Sequence, residues 1–184
     1  MESQQVGLIF KALDFAARKH RDQRRKDLEA SPYINHPITL VNLLWNTAGV
    51  SDPAVMVAAL LHDTVEDTDT TFAELKQEFG AEVEQLVREV TDDRSLPKQE
   101  RKQCQVEHAA HLSQKAKLVK LADKISNLRD IMASPPADWS SDRKREYFVW
   151  AKQVVDQLRG VHPQLEGVFD GVYQQGIAQF SDRS

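Results

Sequence analysis

Cysteine, glycine and proline are scarce in this chain of 184 residues, which contains one cysteine, seven glycines and seven prolines. With Cys104 alone no disulfide can form within the chain, and a reducing compartment, the cytoplasm, is expected. Glycine and proline mark turns, so their scarcity, together with few alternating apolar and polar segments, favours helices. We therefore predict an all-α fold, compact and multi-helical, in which residues 1–184 form a single domain.

Long apolar runs are also missing, because no stretch approaches the roughly 20 residues that a membrane-spanning helix needs. The first 20 residues have the pattern of an amphipathic helix, without the basic start and long apolar run of a signal peptide. A formal net charge of −4 argues against a general nucleic-acid binder. The sequence thus predicts neither a membrane nor a nucleic acid as a partner, and any anion site must be a local basic cluster.

Such a cluster follows the first predicted helix, in the segment RKHRDQRRKD at residues 18–27. Basic side chains at the C-terminal end of a helix complement its dipole, which accounts for some of these charges. Six Arg and Lys residues between Arg18 and Lys26 exceed that need. A solvated helix end and a phosphate-binding role for part of the cluster are therefore equally supported.

The stretch AALLHDTVEDTDTT, residues 58–71, places an imidazole and several acids directly after an apolar run. We predict that one buried helix continues through it, so that His62 faces Glu66 and Asp63 faces Asp67. Charges at a buried helix end persist only when they are paired or bound to a metal. The stretch alone would also suit a solvated helix end, so a metal site requires ligands from elsewhere in the chain.

Two other segments offer such ligands. His36 precedes Pro37 at the entrance of a predicted helix, where the imidazole could cap the helix or point into a site. Asp123 lies in a helix that is apolar on most sides and therefore expected to be central, with Asn127 four residues later. A buried salt bridge, for example to an arginine, is the alternative interpretation of Asp123. The combined set of two imidazoles and two carboxylates is His36, His62, Asp63 and Asp123.

The types of ligand narrow the choice of metal. Imidazoles disfavour magnesium and calcium, and the absence of cysteine ligands disfavours structural zinc. Manganese, iron, cobalt and catalytic zinc remain. With four protein ligands, an octahedral ion would keep two positions for water and a substrate oxygen.

Three motifs in this order carry a resemblance to a known family: NHP at 35–37, HDTVEDT at 62–68 and KLADKISNL at 120–128. They resemble the HD-domain phosphohydrolases, and more closely the hydrolase domain of the RelA/SpoT alarmone enzymes. The likeness extends from RRKD at 24–27 to DRKREYFVW at 142–150, which is nearly the whole chain. In length the chain is similar to the stand-alone metazoan SpoT homologues.

The resemblance implies a role for each matching residue. It implies that one Mn²⁺ ion is held by the four ligands His36, His62, Asp63 and Asp123. Glu66 and Asp67 match the catalytic acidic pair of the family. Ser126 stands where bulkier ring residues are common in the relatives, so the shape of the pocket is expected to differ. The positions that match nucleotide-contacting residues are Arg25, Lys26, Asn127 and Tyr147.

The activity implied is hydrolysis of guanosine tetraphosphate (ppGpp) at its 3′-diphosphate, which gives GDP and pyrophosphate. Metal-assisted attack of water suits the ligand set, with Glu66 as the base and Asp67 orienting the water. One alternative is a phosphatase that removes a ribose 2′- or 3′-phosphate from another nucleotide such as NADPH. The other is a non-catalytic nucleotide-binding module, against which the intact metal set and acidic pair argue.

Overall fold

A computed structural model of the chain describes residues 2–181, and this part of the chain is helical. The all-α prediction is confirmed, since the described residues form no strand beyond a single bridge between Arg24 and Pro32. None of these helices combines the length and apolar composition needed to cross a membrane. The helices are α1 (Ser3–Lys19), α2 (Asn35–Asn42), which continues into a π-helical turn (Leu43–Thr47), α3 (Pro53–Leu61), α4 (Thr64–Asp67), α5 (Phe72–Phe79), α6 (Ala81–Val90), α7 (Lys98–Ala109), α8 (Gln114–Ala133), α9 (Ser141–Asp156) and α10 (Pro163–Ser181).

Most helix boundaries follow from capping residues in the sequence. The Asp52 side chain accepts from the first amides of α3, and the Thr71 hydroxyl accepts from the Glu74 amide of α5 at 3.1 Å. Gly80 ends α5 with a φ of 89°, a backbone conformation that glycine adopts at low cost. From the sequence alone we expect Ser141 or Asp142 to cap α9, but the cap is Ser140. Ser140 keeps an extended backbone, from which its hydroxyl reaches an amide of the first turn.

The helix predicted to run through the histidine–aspartate stretch is broken in two. Helix α3 ends at Leu61 and α4 begins at Thr64, with His62 and Asp63 at the junction. Side chains replace backbone groups there: His62 Nδ1 donates to the Ala59 carbonyl at 2.9 Å, and the Thr64 hydroxyl donates to the Leu61 carbonyl at 2.7 Å. These bonds satisfy carbonyl groups at the end of α3. The spacing argument by which His62 faces Glu66 on a continuous helix is therefore wrong.

Helices α3 and α8 form the centre of the fold and bring the predicted ligands together. Helix α3 packs on α1, α2 and α6, and α8 packs on α2, α3, α6, α9 and α10. The predicted central position of α8 is confirmed, because residues 119–126 are all buried. This buried run includes three charged side chains, Lys120, Asp123 and Lys124. Since such groups are costly inside a protein, their surroundings mark the candidate site.

The close packing of α9 on α10 can be tested at Gly176. A Cβ atom at this position would lie 1.9 Å from Cε1 of the buried Phe148 ring. We expect Gly176→Ala to lower the free energy of unfolding by about 1–3 kcal/mol, because the ring has to move within a packed core. The matched control is Gly171→Ala on the same helix, where nothing lies within 4 Å. That change should raise the free energy of unfolding by about 0.5–1 kcal/mol. Equal urea midpoints for the two variants would contradict the packing described here.

Candidate active site

Three predicted ligands converge from separate parts of the fold. His36 on α2, His62 at the α3–α4 junction and Asp123 on α8 each place a ligand atom within 4.8 Å of the others, and all three are buried. Nε2 of His36 lies 3.2 Å from Asp123 Oδ1, and Nε2 of His62 lies 3.9 Å from the same oxygen. Asp63 stands outside this tightest group, but its Oδ2 is 2.9 Å from His62 Nε2. The structure therefore brings the four predicted ligands into one place.

The hydrogen bonds of the two imidazoles leave one nitrogen of each ring directed into the site. His62 donates through Nδ1 to the Ala59 carbonyl, so in the neutral ring Nε2 carries the lone pair. His36 contacts the Ser126 hydroxyl through Nδ1 at 3.2 Å, which leaves its Nε2 beside Asp123. A metal-binding histidine usually has an outer partner on one ring nitrogen and offers the other nitrogen to the ion, and both rings are placed in that way.

The buried Nε2 of His62 has no hydrogen-bond partner among the described residues. The Asp63 carboxylate is close, at 2.9 Å, but the contact does not have the direction of a hydrogen bond. Buried polar atoms are rarely left unpaired, so each case calls for an explanation. A cation between His62, Asp63 and Asp123 would use this lone pair and both carboxylates. The residues present therefore fit a divalent metal ion.

The charged side chains of the site change one another's pKa values. Burial alone would raise the pKa of Asp123, but Lys124 and the two imidazoles hold the pKa of this carboxyl well below its usual range. Burial lowers the pKa of His62, yet the carboxylates of Asp63 and Asp123 outweigh that effect and raise it to about 9. Without an ion, a proton on His62 thus balances the acids. A metal ion would have to displace that proton, so metal binding should weaken as the pH falls.

Lys124 is a site residue that the sequence did not suggest. Its Nζ lies 3.1 Å from Asp123 Oδ2 and 4.5 Å from the centroid of the Trp150 ring, and the residue is 3% exposed. The alternative interpretation of Asp123 as an ion-paired residue is thus partly correct, with a lysine as the partner. The signal in the sequence was a lysine next to the acid within a helix that is apolar on most sides.

The acidic pair, Glu66 and Asp67, lies on the short helix α4. It stands beside the four predicted ligands, called the metal group below: His36, His62, Asp63 and Asp123. Glu66 Oε2 accepts from the Asp92 amide at 3.2 Å, and Asp67 Oδ2 accepts from Gln23 Nε2 at 2.7 Å. The Arg94 guanidinium contacts the Asp67 carboxylate and lies 3.6 Å from Glu66 Oε1. The polar connection at residues 91–97 therefore flanks the site. Burial, followed by the charges of Asp63 and Asp92, raises the pKa of Glu66.

The four predicted nucleotide-contacting residues line one cleft of about 500 Å³. Within it, the Arg25 guanidinium donates to Asn127 Oδ1 at 3.1 Å and contacts the Asp130 carboxylate. A smaller cavity of about 170 Å³ contains the metal group, and the two spaces share part of their walls. The shared residues are Arg25, Tyr33, Asn127 and Tyr147. Cleft residues that the sequence did not suggest are Gln23, Tyr33, Arg94 and Trp139.

The described residues form an all-helical core that carries a buried histidine–aspartate group. A family model described as "HD domain" matches residues 12–152. Two curated relatives match over more than nine-tenths of their length. A protein of Xenopus tropicalis named guanosine-3′,5′-bis(diphosphate) 3′-pyrophosphohydrolase MESH1 is 56% identical over 177 residues, which cover 96% of this chain and 99% of the relative. The protein of that name in Homo sapiens is 58% identical over 167 residues, covering 91% and 93% of the two chains.

Two solved structures are similar to this chain over most of its length. A metazoan orthologue of SpoT, described as hydrolysing ppGpp, superposes with a TM-score of 0.89 at 51% identity and covers 91% of this chain and 94% of its own. The Listeria monocytogenes protein lmo0812 superposes with a TM-score of 0.64 at 28% identity, covering 81% and 97%. The chain belongs to the HD-domain family, in the group of the MESH1 pyrophosphohydrolases. The resemblance stated from the three motifs is thereby confirmed.

The metal group makes a direct prediction for two of its members. His62→Ala and Asp123→Ala should each abolish retention of a divalent metal ion, because each variant keeps only three of the four predicted ligands. Elemental analysis after desalting measures the metal, and thermal unfolding with and without Mn²⁺ gives a second readout, since an ion that binds the folded state raises its melting temperature. His108→Ala, an exposed histidine on α7, is the control. Unchanged stoichiometric metal in both ligand variants would remove these residues from the site.

Proposed function

We propose that this chain hydrolyses ppGpp at its 3′-diphosphate and releases GDP and pyrophosphate, as the names of its MESH1 relatives state for those proteins. The observation that carries the proposal is the buried metal group that opens into a cleft lined by basic side chains. At about 500 Å³ the cleft has the volume typical of small-ligand sites. Arg25 and Lys26 on its wall supply positive charge for a polyphosphate.

The resident metal in this proposal is one Mn²⁺ ion held by His36, His62, Asp63 and Asp123. Two imidazole nitrogens and two carboxylates form a mixed donor set that suits a first-row transition metal better than magnesium or calcium. When bound, the ion supplies Lewis-acid polarisation of a phosphoryl oxygen and lowers the pKa of a water molecule.

The acidic pair handles the attacking water. Glu66 is the base that takes its proton, and Asp67 accepts a hydrogen bond that orients it. Burial raises the pKa of Glu66, which makes this carboxylate a stronger base than an exposed one. Its orientation is supported by the Asp92 amide, which donates to Oε2 at 3.2 Å. Glu66 thus lines the metal cavity with one oxygen already held in place.

Asn127 links the cleft to the metal group. Its Oδ1 accepts from Arg25 at 3.1 Å, and its Nδ2 donates to Asp123 Oδ1 at 2.6 Å. One amide therefore aligns a phosphate-binding arginine with a metal ligand. Charge neutralisation is the main requirement of phosphoryl transfer, so this alignment places positive charge where the phosphates of the substrate would lie. Tyr147 and Trp139, with ring centroids 5.6 Å apart, form an aromatic wall of the same cleft.

We further propose that residues 1–184 act as one domain in the cytoplasm. The single-domain proposal is supported by one hydrophobic core cluster whose buried members extend from Ala12 to Phe180. The proposed location is supported by the single cysteine, since no disulfide within the chain requires an oxidising compartment.

The substrate is tested with purified protein and a panel of phosphorylated nucleotides, in Mn²⁺, in Mg²⁺ and in EDTA. We expect ppGpp with Mn²⁺ to yield GDP and pyrophosphate in equal amounts, and EDTA to abolish the reaction. Orthophosphate released from NADPH or from a ribose 3′-phosphate, with ppGpp unchanged, would support the phosphatase alternative. Binding of these nucleotides without turnover of any would support the non-catalytic module.

The role of Glu66 is tested by Glu66→Gln, which keeps the shape of the side chain. We expect kcat to fall by about a hundred- to ten-thousandfold, the usual loss for a general base, while KM and metal content change little. Glu107→Gln, on α7 and exposed, is the control. Near-normal single-turnover chemistry in Glu66→Gln would remove this residue from the mechanism.

A further inference from the structure

His20 and Gln23 are two polar side chains near the acidic pair that the proposed chemistry does not use. His20 follows α1 and is 2% exposed, and Gln23 lies in the turn after it. Nδ1 of His20 is 2.6 Å from Gln23 Oε1, and Gln23 Nε2 donates to Asp67 Oδ2 at 2.7 Å. A chain of two hydrogen bonds thus connects the end of α1 with the carboxylate beside the proposed base.

The direction of this chain follows from the chemistry of the groups. An ionised carboxylate only accepts hydrogen bonds, so the NH₂ group of Gln23 must face Asp67. The carbonyl side of the Gln23 amide then faces His20 and needs a donor, which places the proton of the imidazole on Nδ1. The buried Nε2 of His20 has no hydrogen-bond partner among residues 2–181, so no acceptor there competes with Gln23 Oε1 for the proton of the ring. Burial lowers the pKa of His20 and so keeps the ring neutral.

Backbone hydrogen bonds and ring packing fix the positions of His20 and Gln23. The backbone amide of Gln23 donates to the His20 carbonyl at 3.0 Å, and the backbone carbonyl of Gln23 accepts from the Tyr33 amide at 3.1 Å. The His20 ring lies against the Tyr33 ring, with centroids 4.7 Å apart. Arg94, the other partner of Asp67, is more than half exposed and belongs to the flanking loop. The contact through Gln23 is therefore the more sheltered of the two.

We propose that His20 is a positioning residue for the hydrolysis: it fixes the orientation of the Gln23 amide, which holds the Asp67 carboxylate in the direction of the attacking water. The inference rests on the proposed role of Asp67. Without the Nδ1 donor, the Gln23 amide could rotate and present its oxygen to Asp67, where two acceptors would repel each other. The carboxylate would then lose its support on the sheltered side.

Three variants of the Mn²⁺-loaded enzyme test the hydrogen-bond chain from His20 through Gln23 to Asp67. Gln23→Met removes the donor to Asp67 at similar length, and we expect kcat for ppGpp to fall about ten- to a hundredfold with KM nearly unchanged, as for other outer-shell partners. His20→Phe keeps a ring against Tyr33 but removes the Nδ1 donor, so kcat should fall in the same direction. In His20→Asn, the side-chain amide replaces the Nδ1 donor and should restore most of the lost rate.

Coupling to Asp67 separates positioning from a general structural effect. In an Asp67→Ala background, Gln23→Met should change kcat by less than about twofold, because the acceptor that Gln23 supports is already gone. Phe15→Leu, in the core one turn before His20, is the structural control. It should lower the melting temperature without changing kcat. Full, multiplicative losses in the double variant, or a wild-type kcat in Gln23→Met, would overturn the proposal.

A nitrogen-15 NMR spectrum of the imidazoles gives a readout that does not depend on the substrate. We expect His20 to carry its proton on Nδ1 in the wild type, the less common tautomer in solution, and to lose this preference in Gln23→Met. A proton on Nε2 in the wild type would overturn the positioning role whatever the enzyme hydrolyses. If ppGpp is not turned over while the Nδ1 tautomer is observed, the proposed function fails and the hydrogen-bond chain remains.

Discussion

Asp123 belongs to the stretch of α8 in which every residue from position 119 to 126 is buried. An unpaired charge in this environment would cost several kcal/mol, so its partners determine how the surrounding helices pack. Asn127 Nδ2 lies 2.6 Å from one oxygen of Asp123 and His36 Nε2 lies 3.2 Å from the same oxygen, while Lys124 Nζ lies 3.1 Å from the other. Through His36 the carboxylate fixes the entrance of α2 against α8. Through Asn127 it reaches Arg25 and the cleft.

The charge balance of the metal cavity explains why an ion belongs there. Four carboxylates line the space, on Asp63, Glu66, Asp92 and Asp123, against three basic side chains, on Arg25, Lys120 and Lys124. With both imidazoles neutral the formal excess is one negative charge, and without an ion the proton on His62 offsets it. A divalent cation in place of that proton gives the cavity a formal excess of one positive charge, beside a cleft that carries further basic residues. The ion therefore makes the cavity more favourable for an anionic substrate than the proton does.

The convergence of the predicted ligands could be expected from the sequence because their side-chain types recur at the buried parts of separate helices. His36, His62 and Asp123 could be selected from apolar neighbours and helix signals alone, without knowledge of how the helices pack. Lys124 was missed because lysine is almost always exposed, and a single sequence does not show which lysine is the exception. Asp92 and Arg94 reach the acidic pair across 26 and 27 positions of the chain. Such contacts depend on the path of a loop, which local patterns do not determine.

The break between α3 and α4 is the point at which local pattern and structure disagree, and the chemistry of the site gives the reason. If the helix continued through residues 62–65, the carbonyls of residues 58–61 would accept from the backbone amides four positions later. In the structure the Ala59 carbonyl instead accepts from His62 Nδ1 at 2.9 Å. The proposed metal ligand is thus held by the end of a buried helix, whose rigid packing fixes the ring. Because Nδ1 is bonded to Ala59, Nε2 of the fixed ring faces Asp63 and Asp123, where the neutral ring can offer its lone pair to an ion.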